Sequence, residues 1–234
     1  MTVVPLDTDH SGVQRLDGRL RDLLAGKKIV MTGVTGFIGE QLLWKILTEL
    51  PDTVPAVLVR RKGSATARDR MMSAIKKPIF NALRDAAGGA AELLDSRIEV
   101  IEGDLPNVPE LPADLDVVVH CAGDVSFDPP IDQALTTNVI GTKALMDRML
   151  QAVSDENGDP RNVPHYVHIS TAYTAGRRRG AIPEAPHIHS IDYDAEAAAG
   201  VAMRELIEAE SRTSARLAKL RQEAEREHRQ AGFL

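Results

Sequence analysis

Residues 29–39 read Ile-Val-Met-Thr-Gly-Val-Thr-Gly-Phe-Ile-Gly, a short apolar run ending on Gly33, Gly36 and Gly39, three residues apart. An apolar-periodic segment, Phe37 to Leu50, follows at once. The pattern is strand, tight turn, helix. A helix N-terminus presents unpaired N–H groups and the positive end of its dipole, and glycines let an anion approach the backbone. Alone, such a glycine string is a weak signal, because glycine-rich turns are common. The surrounding elements decide its meaning.

Val13, Leu16, Leu20, Leu23 and Leu24 sit at helical spacing and Gly26 stops that helix before the first strand. After the glycine turn, Phe37, Ile38, Leu42, Leu43, Ile46, Leu47 and Leu50 are expected on one helical face, closed by Pro51. A second strand is expected over 56–59, ending in Arg60-Arg61-Lys62, and its distance from the glycines is that of a βαβ unit. A charged helical stretch from Thr66 to about Leu94 contains Pro78 and Gly88-Gly89, so at least one break is expected there.

Further strands are expected over 98–101, 117–121 and 163–170, with a helix from Ile131 to Met149 between the last two. The run Val117-Val118-Val119 is apolar enough to be buried on both faces. Strands alternating with helices over about 170 residues predict a parallel sheet covered on both sides, and right-handed crossovers make it doubly wound. In that context the glycine turn becomes a dinucleotide-binding turn.

Beyond Asp194 the character changes. Ala, Glu and Arg dominate, and Met203, Leu206, Ile207, Leu217 and Leu220 form only a thin apolar stripe, so a long, mostly polar helix is expected. With 28 basic and 34 acidic residues among 234, the net charge of −6 argues against nucleic acid as a partner. No apolar run approaches the ~20 residues of a membrane-spanning helix. The N-terminus, with Asp7 and Asp9, lacks a secretory apolar core, and the single Cys121 fits a reducing compartment. A cytoplasmic protein is expected, with peripheral membrane contact left open.

Candidate chemistry clusters at the strand ends. An NAD site usually has an acidic residue about 20 positions after the glycines; here Arg60 and Arg61 stand instead. Guanidinium groups there would pair with a 2′-phosphate, favouring NADP(H), while the alternative is a solvated loop. Asp104-Leu105 would hold the adenine between a carboxylate and an apolar wall, or simply form a turn. Cys121-Ala122-Gly123 follows the fourth strand where cofactor contact is expected, with Cys121 a packing residue rather than a nucleophile. His168, Ser170, Thr171 and Tyr173 end the fifth strand, where a hydroxyl would polarise a substrate carbonyl, or where the Ser-Thr pair would simply form a turn. His168 reads as a core or sheet-face histidine rather than a base. His187 and His189 lack a further ligand at metal spacing, so no metal is expected. Arg177-Arg178-Arg179 is a solvated loop or a phosphate contact for a large substrate.

Taken together, TGVTGFIG at 32–39, LVRRK at 58–62, Gly103-Asp104, HCAGDVSF at 120–127, NVIGT at 138–142 and HISTAY at 168–173 resemble the extended short-chain dehydrogenase/reductase superfamily, and within it the NADPH-dependent fatty acyl-CoA reductases, the group with a male-sterility-type NAD-binding domain. The match covers about residues 25–185. The resemblance implies hydride transfer from NADPH to a fatty acyl-CoA, giving aldehyde or alcohol. It places Thr171, with Ser170 beside it, as the carbonyl-orienting hydroxyl, and Asn138 as support for a proton-relay water. Thr32, Gly33, Thr35, Gly36, Phe37, Ile38, Gly39, Arg60, Arg61, Asp104, Leu105, Cys121, Ala122 and Gly123 would line the cofactor.

The family's Tyr-x-x-x-Lys pair is missing: Tyr166, Tyr173 and Tyr193 are followed at that spacing by Ser170, Arg177 and Ala197. General acid catalysis of this kind contributes ~10²–10⁴-fold, so the chain alone is expected to be inactive or nearly so. The expected organisation is a tail and helix over 1–25, a Rossmann-type NADP(H)-binding domain over 26–193, and a charged helical insertion over 194–234 at the end of a C-terminally incomplete sheet. Competing expectations are a sugar-nucleotide epimerase or dehydratase of the same superfamily, and a non-catalytic NADP(H)-binding or sensing protein.

Overall fold

In the first strand of the computed structural model, β1 (Lys28–Thr32), side chains alternate between two apolar layers. Ile29 and Met31 face one layer and Val30 the other, as the two-residue period of a strand requires. The structure describes residues 19–127, 129–171, 176, 179–183, 185 and 190–231. The expectations for Val13 to Gly18, Tyr173, Arg177, Arg178, His187 and His189 lie outside these residues.

A short helix, α1 (Arg19–Leu24), precedes β1 and ends at Gly26, whose φ of 68° takes the left-handed conformation of a helix stop. The chain continues through α2 (Phe37–Glu49), β2 (Ala56–Val59), α3 (Ala67–Ile75), a 3₁₀ turn at Pro78–Phe80, α4 (Asn81–Ala87) and α5 (Ala90–Arg97). The expected breaks fall at Pro78 and at Gly88-Gly89. Then come β3 (Glu99–Glu102), β4 (Leu115–His120), α6 (Ile131–Leu135), a π-helical turn at Thr136–Ile140, α7 (Gly141–Ala152) and β5 (His165–His168). The helix expected from Ile131 to Met149 forms and continues to Ala152, with that π turn inside it.

The five strands are parallel in the order β3-β2-β1-β4-β5. Successive crossovers run outward from β1 in both directions, so the order reverses between β1 and β4. Loops leaving these two strands diverge there and open a crevice, the place where open α/β sheets bind ligands. One face of the sheet is covered by Leu43, Leu47, Met71, Ile75, Phe80, Leu93 and Leu94, and the other by Leu105, Val108, Leu145 and Met149. Each fully buried side chain of this kind contributes roughly 1.5–3 kcal/mol, which is why the doubly wound arrangement is legible from apolar runs.

Two details differ from the sequence expectation. Phe37 and Ile38 do not join the buried face of α2; they are 86% and 53% exposed, at the helix's first turn. The charged C-terminal segment forms two helices, α8 (Tyr193–Ser211) and α9 (Ser214–Ala231), rather than one. Asp192 caps α8, accepting from the N–H groups of Asp194 and Ala195 at 3.1 and 3.0 Å. α8 packs on α6: Ala197 is buried, Arg204 stands 3.8 Å from Asp132, and Gly200 lies against Leu135. No described helix is long and apolar enough to cross a membrane.

Candidate cofactor site

The C-terminal ends of β1, β2, β3 and β4 border one cleft of about 1000 Å³. Its floor is the glycine turn. Gly33 has φ 74°, and a Cβ there would stand 2.5 Å from the carbonyl carbon of Cys121, so only glycine fits between β1 and the loop leaving β4. Gly39 is equally confined, since a Cβ would meet the Gly33 carbonyl oxygen at 2.2 Å. This contact lets α2 start directly over the turn. Gly36 is its N-cap and provides no side-chain cap; the Gly39 N–H meets the Cys121 sulfur, and those of Phe37 and Ile38 remain at the mouth of the helix for a ligand. Thr35, Phe37 and Ile38 complete this wall.

At the β2 end stand Arg60 and a residue that sequence reasoning missed, Arg70. The Arg70 guanidinium donates to Thr35 Oγ1 at 2.9 Å and to the Arg60 carbonyl at 2.5 Å. It reaches the turn because α3 begins at a fixed point. Thr66 and Asp69 form a reciprocal capping box, and Glu102 accepts from the Ala67 N–H at 2.9 Å. Arg61 is turned away: its Nε donates to Glu102 at 2.6 Å, and it does not border the cleft. The Ala67 N–H and then Arg61 hold the Glu102 carboxyl below the usual range. Among the described residues no carboxylate pairs with Arg70, whereas Arg60 lies 3.9 Å from Asp104 in an exposed pair. Asp104 also accepts from the Leu105 N–H at 2.9 Å, forming the turn that carries buried Leu105 into the cleft wall beside Gly141.

At the β4 end the wall is Cys121, Ala122, Gly123 and Asp124. Thr32 borders the cleft, yet it is buried and its hydroxyl faces β4. Thr32 Oγ1 accepts from the N–H groups of Cys121 and Ala122 at 3.2 and 3.1 Å and lies 2.7 Å from His120 Nδ1. Burial, with His168 next in effect, pushes the His120 pKa down to about 4. Burial likewise pushes the half-buried Cys121 thiol up, as befits packing rather than attack.

Asn138, in the π turn, spends its amide on the same loop. Its Oδ1 accepts from the Asp124 N–H at 2.7 Å and its Nδ2 donates to the Asp124 carbonyl at 3.0 Å. Ser170 and Thr171 follow β5 at the same sheet edge and are exposed; neither borders the cleft. The β5 exit is tied to β4 through the Ile169 N–H, which donates to the His120 carbonyl at 2.8 Å. Among the described residues no group of His, Cys, Asp and Glu is arranged to hold a metal ion.

The cleft therefore suits an elongated anionic ligand: a glycine cradle at a helix N-terminus in the middle, arginines at one end and a small-residue loop at the other. Among known proteins, fatty acyl-CoA reductase 1 of Xenopus laevis is 31% identical over 163 residues, covering 66% of this chain and 30% of the frog protein. Fatty acyl-CoA reductase 8 of Arabidopsis thaliana is 28% identical over 179 residues, 70% of this chain and 34% of the plant protein. The chain thus spans about a third of such relatives. The terminal R domain of the myxalamid PKS-NRPS pathway superposes with a TM-score of 0.49 at 21% identity, over 69% of this chain and 39% of that one. The NAD-binding family model described as male sterility protein matches residues 31–229, nearly the whole sheet and both C-terminal helices, and the chain belongs to that family.

Proposed function

We propose that this chain binds NADP(H) in the cleft above β1, β2 and β4, as the cofactor-binding part of a reductase acting on fatty acyl-CoA. The observation that carries the cofactor choice is the pair Arg60 and Arg70 at the β2 end, with Arg70 lacking a carboxylate partner among the described residues. A 2′-phosphate seated between two guanidinium groups gains charge-assisted hydrogen bonds that a 2′-hydroxyl does not. The pyrophosphate would lie on the N-terminus of α2, against Gly33, Gly36 and Gly39. Asp104 and Leu105 would flank the adenine, and the 121–123 loop would face the nicotinamide end.

When bound, the cofactor supplies a hydride. One hydride and one proton convert an acyl thioester to an aldehyde and a free thiol, and a second pair gives the alcohol. Thr171, supported by Ser170, is the proposed hydroxyl that orients the thioester carbonyl from the β5 exit. The substrate class rests on the fatty acyl-CoA reductases among the relatives. Because Tyr-x-x-x-Lys is absent from the sequence, the chain alone is proposed to bind cofactor and to turn over substrate little.

Calorimetric titration of the 234-residue chain with NADPH and NADH tests the reading. Arg60→Ala and Arg70→Ala should each weaken NADPH binding about 10–100-fold, the worth of a hydrogen bond to a charged group, and leave NADH within about threefold. Equal losses for both cofactors would overturn the 2′-phosphate assignment.

A further inference from the structure

His120 is wholly buried at the end of β4 and belongs to no part of the proposed reaction. Its surroundings nevertheless fix where both its ring nitrogens point and which one carries the proton. On the Nδ1 side, the Thr32 hydroxyl already accepts two backbone N–H groups, from Cys121 and Ala122. A hydroxyl has two lone pairs and one proton. With both lone pairs engaged, its proton goes to His120 Nδ1, 2.7 Å away, so that nitrogen is an acceptor. On the Nε2 side, Thr142 Oγ1 lies 3.1 Å away and donates its own proton to the Asn138 carbonyl at 2.9 Å. A carbonyl only accepts, so Thr142 has no proton left for the ring and Nε2 is the donor. Two independent proton counts, from opposite sides of the imidazole, give the same neutral Nε2–H tautomer.

The chain runs Thr32 to His120 to Thr142 to the Asn138 carbonyl, and the Asn138 amide then grips Asp124. It begins at the last residue of the strand that feeds the glycine turn and ends on the π turn. Between them sits the 121–124 loop, bound at Cys121 and Ala122 by Thr32 and at Asp124 by Asn138.

We propose that His120 is a positioning residue, a neutral hydrogen-bond bridge that locks the β1 end, the π turn and the 121–124 loop into the single arrangement that shapes the cofactor cleft. It touches neither cofactor nor substrate. It acts through Thr32 and Asn138, and its partner Thr142 is the link that can be cut with least change of shape.

The cofactor part of this inference rests on the proposed NADP(H) site; the tautomer does not. Long-range proton–nitrogen NMR on the ¹⁵N-histidine-labelled chain, with His120 assigned by its loss in His120→Gln, should show a neutral ring protonated on Nε2 at pH 7. A proton on Nδ1, averaging between tautomers, or an imidazolium would overturn the bridge. Fluorescence titration with NADPH then compares Thr142→Val with Thr142→Ser. Removing the hydroxyl leaves a buried ring N–H and the Asn138 carbonyl without this partner, and should weaken NADPH binding about tenfold. Serine, which keeps the hydroxyl, should bind within about threefold of wild type. Wild-type-like binding by Thr142→Val, or failure of serine to rescue, would overturn the positioning role. A wild-type chain that binds no NADPH but shows the Nε2–H tautomer would remove the cofactor site and leave the bridge in place.

Discussion

The two ends of the cleft are built from opposite materials. At the β2 end, Arg60 and Arg70 carry charge on long side chains at or near the surface, and the position of Arg70 is set by hydrogen bonds to Thr35 and to a carbonyl. At the β4 end, a neutral chain runs from buried Thr32 and His120 to half-buried Thr142, and every proton has a defined destination. Charge at a surface gives discrimination between ligands and little stability, because water screens it. A satisfied buried network gives shape, and breaking one member leaves the others unpaired at high cost. The cleft thus separates what selects the ligand from what holds the walls apart.

The strongest way to break this contrast is at Gly33, where the two materials meet. Gly33→Ala puts a side chain at φ 74° and 2.5 Å from the Cys121 carbonyl carbon. Strain and overpacking together should cost about 2–5 kcal/mol, read as a lower denaturant midpoint, with loss of cofactor binding. A variant as stable as wild type would show that the β4 exit is not confined by the turn.

Next in size is a pH effect confined to the β4 end. His120 titrates near 6.5 when unfolded and at about 4 when folded, so between these values the unfolded chain binds more protons. Stability from this group is intact above about pH 6.5, falls as the pH drops, and is lowered by on the order of 3 kcal/mol below pH 4. Its titratable neighbours across the sheet are His168 and Tyr166 on β5, with ring centroids 5.1 and 6.1 Å away. Denaturant unfolding at pH 7, 6 and 5 should show this slope, and His120→Gln should reduce it; an unchanged slope would remove His120 as its source.

The smallest expected effect belongs to the β2 end. Raising ionic strength from about 0.1 to 1 M shortens the screening length from ~10 to ~3 Å. The preference for NADPH over NADH should shrink several-fold, while the pyrophosphate contribution, common to both, cancels. A salt-independent preference would place the discrimination in buried contacts and dissolve the contrast.

The same division governs what the sequence revealed. Apolar runs such as Val57-Leu58-Val59 and Val117-Val118-Val119 disclose a sheet buried on both faces, and the glycine spacing discloses the turn, because both are local patterns. Arg70 has no local signature in the sequence, since it stands ten residues past Arg60 in a charged helix. Only the capping of α3 by Thr66 and Glu102 brings it to Thr35. Arg61 is equivalent to Arg60 in the sequence, and only strand pairing, which places Glu102 beside it, tells the two apart. Phe37 and Ile38 fit the helical period of α2, but they precede the point at which the helix meets the core. The π turn is invisible in Thr136–Ile140 because one extra residue in a helical turn leaves no compositional mark. A histidine closing the apolar run Val117-Val118-Val119 is a readable signal, and pairing it with Thr32 requires the register of β1 against β4.

The seat of α8 has a mechanical consequence. A Cβ on Gly200 would stand 2.4 Å from Leu135 Cδ1, so the α8 backbone lies directly against the tip of the Leu135 side chain. Leu135 is the residue immediately before the π turn. The charged helix therefore lies as a splint along the joint that carries Asn138, seated by buried Ala197, by Leu135 and by the Arg204–Asp132 pair.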